Sequence, residues 1–178
     1  MVKLPWLALA AIVAGCNAPA PAPAEPASPT PRPYSTLAQL MRGIPFPSSN
    51  IVFDTQTTDP GVKREPAEAR RGGATADFGS VYGGWQAVEN SALAISETAT
   101  LVMVPGRSCE NGRPAPIDQE DYRRFARQLA DAGLAAYEAA QSKNLDAMIE
   151  VSGTVSDACA ACHEVYRDKE DPKDRCVR

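Results

Sequence analysis

Cys159-Ala160-Ala161-Cys162-His163, near the end of the chain, is the stretch around which the rest of the sequence falls into order. Cys-x-x-Cys-His is the attachment pattern of c-type haem. Two thiols add across the vinyl groups of the porphyrin, and the next residue offers an imidazole to the iron. On a helix, positions i, i+3 and i+4 share a face, so Cys159, Cys162 and His163 would present together to one flat ligand. His163 is the only histidine in the chain, which leaves the axial ligand without a rival. A thioredoxin-type pair belongs at a helix N-terminus beside a strand, where the dipole lowers a thiol pKa. Here the pair comes late in a long helical pattern. A structural zinc site needs two further Cys or His at workable spacing, and Cys109 and Cys176 form no second close pair.

The 178 residues suit one domain preceded by a processed leader and a linker. Abundant alanine, few aromatics and the scarcity of alternating Val/Ile runs favour an all-α fold packed on small side chains. The net charge of −4 comes from mixed acids and bases. With no basic patch carrying interleaved aromatics, a nucleic-acid partner is not expected. Five cysteines fit an exported protein: one lipidated, two holding haem, two paired with each other.

Residues Met1 to Cys16 read as an export signal, with Lys3 as the positive start and Leu4 to Val13 as an apolar run too short to span a bilayer. Val13-Ala14-Gly15-Cys16 resembles the bacterial lipoprotein signal, which makes Cys16 the expected lipidation site. Several acyl chains there would hold the protein on a membrane far more firmly than one. Asn17 to Pro33 is a Pro/Ala tract that favours polyproline II and cannot build a core. Extended, it would reach about 50 Å from the anchor, at ~3.1 Å per residue. The remaining residues, 34–178, form the expected domain.

Four helical patterns follow. Tyr34 to Gly43 carries Leu37, Leu40 and Met41 on one side, with Ser35 or Thr36 as cap, and Pro45 and Pro47 end or sharply bend it. From there to about Phe78 the chain reads as irregular, with a small apolar cluster at Ile51, Val52 and Phe53. Phe46, Ile51 and Phe53 are candidates for covering a haem edge. Val81 to Val104 is the second helix, with Val81, Trp85, Val88, Ala92 and Ile95 at three- and four-residue steps, stopped by Pro105-Gly106. Asp118 is the expected cap of the third, whose stripe runs through Tyr122, Phe125, Leu129, Ala132, Ala136 and Ala140. Asn144 starts the fourth, where Leu145, Met148, Ser152, Val155, Cys159, Cys162 and Tyr166 continue one face. The haem cysteines thus fall on a core-facing stripe.

Four helical segments with Cys-x-x-Cys-His near the end of the last, followed by Glu164-Val165-Tyr166-Arg167, resemble the cytochrome c prime family of four-helix-bundle c-type cytochromes. The resemblance spans roughly Tyr34 to Asp168, and only the haem motif within it is specific. It implies an antiparallel bundle with one covalent haem c near the C-terminal end of the last helix. The departure is at the start, where prolines interrupt a first helix that is usually long. In an up-down-up-down bundle, Met41, Met103, the loop with Cys109 and the tail with Cys176 would meet at the haem end. Met148 would lie about 22 Å away at ~1.5 Å per residue. A Cys109–Cys176 disulfide is therefore expected, tying down the charged tail from Asp168 to Arg178.

One histidine excludes bis-histidine ligation within a monomer, and a peroxidase-style distal histidine. Low-spin members of the family carry a methionine on the first helix, which points to Met41 as sixth ligand, with Met103 the second choice. Arg42 and Arg167 are candidates for pairing with haem propionates, which suit guanidinium geometry. The expected function is that of an electron carrier and not an enzyme: a lipid-anchored periplasmic cytochrome passing single electrons between redox partner proteins. The alternative is a five-coordinate, high-spin haem protein that binds or scavenges a small gas such as nitric oxide. Asn17 after the lipidated cysteine points to the outer membrane by the Gram-negative sorting rule, and a homodimer stays open.

Overall fold

The computed structural model describes residues 31–62 and 83–178. The leader, Cys16, the tether as far as Thr30 and the stretch 63–82, which includes Val81, lie outside them. Within them the chain is all-α: α1 Leu37–Gly43, α2 Pro45–Asp54, α3 Gly84–Val102, α4 Glu120–Gln141, α5 Leu145–Tyr166 and a short 3₁₀ turn, Pro172–Asp174. Among the described residues the only β pairing is an isolated bridge between Ser108 and Pro114. No described helix is long and apolar enough to cross a membrane.

The irregular stretch expected after Gly43 is corrected by α2. Pro45 and Pro47 do not end the helical path, because both fall in the first turn of a new helix. There a backbone N–H has no intrahelical acceptor to lose and the fixed φ suits the start. The break is confined to Ile44, at φ −126° and ψ −68°. Its N–H still donates to the Leu40 carbonyl at 3.0 Å, and its own carbonyl accepts from Ser48 at 3.2 Å. So α1 and α2 make one bent arm. Thr36 caps it in a reciprocal box with Gln39.

The arm packs through α2 on α3 and α5, while α3 packs on α4 and α4 on α5, a bundle-like closed circuit. Ser142, Lys143 and Asn144 alone join α4 to α5, and the Asn144 side chain caps the latter by accepting from the Ala147 N–H at 3.1 Å. So short a link makes the two helices antiparallel neighbours. At the α3–α4 crossing, a Cβ added to Gly133 would lie 2.6 Å from the Ser96 nitrogen, so glycine sets how closely these helices approach. Asp118 is not the cap of α4. Gln119 holds the cap position with no side-chain bond, and the Asp118 carbonyl instead accepts from the Arg123 guanidinium.

The apolar stripes converge on two clusters. One joins Val52, Val88, Ala92, Ile95, Leu129, Ala132, Ala136, Ala140, Met148, Val155 and Ala158. The other, at the opposite end, joins Leu40, Val102, Tyr122, Ala126 and Tyr166, with Met41, Met103 and Phe125 packed against it. Cys159 packs against the first and Cys162 against the second. The two-cysteine motif therefore straddles the junction between them.

Candidate functional site

At that junction the helices leave a cavity of about 600 Å³, within the range of roughly 300–1,000 Å³ typical of small-molecule sites. Leu37, Phe53, Ile95, Val102, Tyr122, Phe125 and Leu129 supply mostly apolar walls. Cys159, Cys162 and His163 all line it, as positions one helical turn apart must if one of them does. Met41 reaches the same space from α1, and Arg42, Arg167, Cys109 and Cys176 border it. Met103 does not line the cavity but packs in the neighbouring cluster. Met148, with 0% of its surface exposed, belongs to the other cluster and does not line the cavity. Of the three aromatic and aliphatic candidates for a covering edge, Phe46 and Phe53 line the cavity and Ile51 does not.

The two motif cysteines are unpaired. Burial pushes the Cys162 thiol up to about 12 and raises that of Cys159, the opposite of the electropositive setting that activates a redox thiol. Burial, then the Arg167 guanidinium, holds His163 below the usual imidazole value. Its ring is therefore neutral at physiological pH, the form that ligates metals. These donors, two thiols and an imidazole on one helix face with a methionine lining the same cavity from α1, could hold a flat group bonded at its edge and ligated at its centre.

Cys109 and Cys176 stand at disulfide distance, with their Cα atoms 6.5 Å apart. The tail they close is well tied. The Cys176 N–H donates to the Tyr166 carbonyl at 2.7 Å, and the Asn111 amide donates to the carbonyls of Pro172, Lys173 and Arg175. Arg42 and Arg167 both have carboxylate partners: Arg42 donates to Glu110 at 2.9 Å, and Arg167 to Asp168 at 2.6 Å.

Three polar features were not anticipated from the residues. Arg107, only 5% exposed, donates from Nε to the Leu101 carbonyl and from Nη1 to Ser35, stitching the start of the arm to the end of α3. Glu110 bridges Arg42 and Arg175 at the cavity rim. Asp121, in the first turn of α4, is buried. It accepts from the Tyr166 hydroxyl at 2.5 Å and pairs with Arg178 at 3.3 Å. Tyr166 in turn stands edge-on to Tyr122, their ring centroids 5.4 Å apart. Charge on a helix start is visible in a sequence; the partner that buries it is not.

The Tyr166 hydroxyl, more than any other group, holds the Asp121 carboxyl below its usual value, with the Tyr122 N–H and Arg178 adding to it against desolvation. A depressed folded-state value gives stability that is complete above the unfolded value of about 4 and is lost as pH falls through the folded one. Asp121→Asn is therefore expected to flatten the acid limb of stability against pH, read as urea midpoints at successive pH values. Parallel limbs for the variant and the wild type would remove Asp121 from the acid response.

Comparison with family models, with curated proteins and with solved structures finds no match for this chain.

Proposed function

We propose that the chain is a c-type cytochrome in which Cys159 and Cys162 bind one haem c covalently and His163 is its proximal ligand. The helices then form an antiparallel four-helix bundle, with the cofactor near the C-terminal end of the last one. One observation carries this: all three motif side chains open onto a single, largely apolar cavity of about 600 Å³. The donor set suits the group, since both thiols are free while Cys109 and Cys176 are joined to each other and so cannot complete a four-ligand zinc site.

Bound there, an iron porphyrin supplies one-electron chemistry, at a higher potential when a methionine joins the histidine. The chain's own residues favour electron carriage over catalysis. Met41 lines the cavity from α1, with Leu37, Phe53, Phe125 and Leu129 as apolar neighbours that favour a largely apolar bound group. Among the described residues both tyrosine hydroxyls at the cavity are engaged, Tyr122 on the Val102 carbonyl and Tyr166 on Asp121. Neither is left to deliver a proton to a bound substrate. The export signal, with lipidation at Cys16, and the cysteine usage support a lipid-anchored place in the periplasm, exchanging electrons with partner proteins.

Absorption and EPR spectra of the ferric and ferrous holoprotein test the sixth ligand. Low-spin iron in the wild type, converted to high-spin in Met41→Ala, is the expected result. High-spin iron in the wild type, unchanged by the substitution, would retire Met41 and leave the five-coordinate, gas-binding alternative.

A further inference from the structure

Among the described residues three arginines border the cavity, and they are not equivalent. The Arg42 side chain is 67% exposed and its Nη2 is taken by Glu110. The Arg167 side chain is 56% exposed and donates from both Nε and Nη2 to its neighbour Asp168. Arg175 is the least exposed, at 36%, and donates from Nη1 to Glu110 at 3.2 Å. Its Nε is buried and has no hydrogen-bond partner among the described residues. A buried guanidinium N–H without an acceptor is a cost that native structures rarely carry. The edge of a guanidinium that includes Nε is one of those that grip a carboxylate in a fork.

The backbone beneath Arg175 is held on both sides. Its N–H donates to the Pro172 carbonyl at 3.3 Å, its own carbonyl accepts from Asn111 at 3.0 Å, and the next residue, Cys176, is in the disulfide with Cys109. A charged C-terminal tail would otherwise fray. Here it delivers one arginine to the cavity from a fixed position, so little freedom remains to be lost on binding.

We propose that Arg175, carried on the disulfide-held tail, is the cavity's anion-binding residue and takes a carboxylate of the bound group through its Nε edge. Resting on the haem reading above, this assigns that role to Arg175 in place of Arg42 and Arg167, whose guanidinium groups are already engaged in the open. Glu110 accepts from Arg42 on one carboxylate oxygen and from Arg175 on the other. Asp168, just past the end of α5, also interacts electrostatically with Arg175, and Lys173 and Asp174 lie on the same segment as Arg175.

The test uses holoprotein from a host competent in cytochrome maturation, as wild type and as Arg175→Gln, Arg42→Gln and Arg167→Gln. Two readouts are taken: the covalently added mass, and the reduction potential as a function of pH. A carboxylate paired with arginine ionises well below neutrality in both oxidation states, so the wild-type potential should stay flat on the acid side. Arg175→Gln releases that carboxylate, and an acid-side slope should appear that neither other variant shows. Arg175→Lys, which keeps the charge but loses the fork, should fall between, and it serves if the glutamine variant does not fold. An Arg175→Gln profile superimposing on wild type, or the same slope in all three variants, overturns the assignment while the haem reading stands. A wild-type chain with no added mass overturns both.

Discussion

Cys159→Ala combined with Cys162→Ala is expected to yield a chain with no covalently added porphyrin, against complete addition in the wild type. Both thiols are half-buried, unpaired and on the cavity wall, so alanine removes the bonding atoms while leaving the helix face small and apolar. Alanine also suits a helix interior better than cysteine does, so α5 should persist. The single variants should each keep one thioether and stay coloured after denaturation. His163→Gly should keep the full added mass and change only the spectrum, because it removes the ligand and neither bond. Mass spectrometry of the denatured chain separates these outcomes. Full added mass in the double variant would sink the attachment, and with it the functional reading.

The second large effect concerns the tail. Cys109→Ala with Cys176→Ala opens a loop with a sequence separation of 67 residues. The loop-closure estimate puts the loss at about 4 kcal/mol, a sizeable part of the stability of an ordinary domain. Cys176 sits at φ 64°, a left-handed conformation that non-glycine residues adopt rarely. Relaxation there offsets part of the loss. Urea midpoints of wild type with and without reductant, and of the double variant, should agree on a large drop in the reduced and substituted forms. An unchanged midpoint on reduction would mean that the Asn111 and Tyr166 hydrogen bonds hold the tail by themselves.

Much of the site was legible in the residues because the motif is local. Cys159, Cys162 and His163 need only a helix to share a face, and the stripe through Met148, Ser152, Val155 and Tyr166 supplies the pattern that makes one. The expected pairing of Cys109 with Cys176 followed from placing loop and tail at one end of a bundle, and the structure brings the two together. Helix α2 is hidden in the residues because proline usually marks the end of a helix, and only its place in the first turn turns Pro45 and Pro47 into a start. That the cap falls on Gln119 and not Asp118 has a related reason. Capping residues are common just before helices, and the sequence alone does not say which of two adjacent positions enters the turn.

The sequence by itself determined the all-α class, the stripes that face inward and the trio of donors on one helix face, since periodicity and spacing are properties of a single segment. Only the tertiary structure decided which of the methionines lines the cavity, which arginine is left with a buried, unpartnered nitrogen, and that Asp121 finds Tyr166. Those outcomes depend on where separate helices meet, and each is fixed by close packing among residues far apart along the chain.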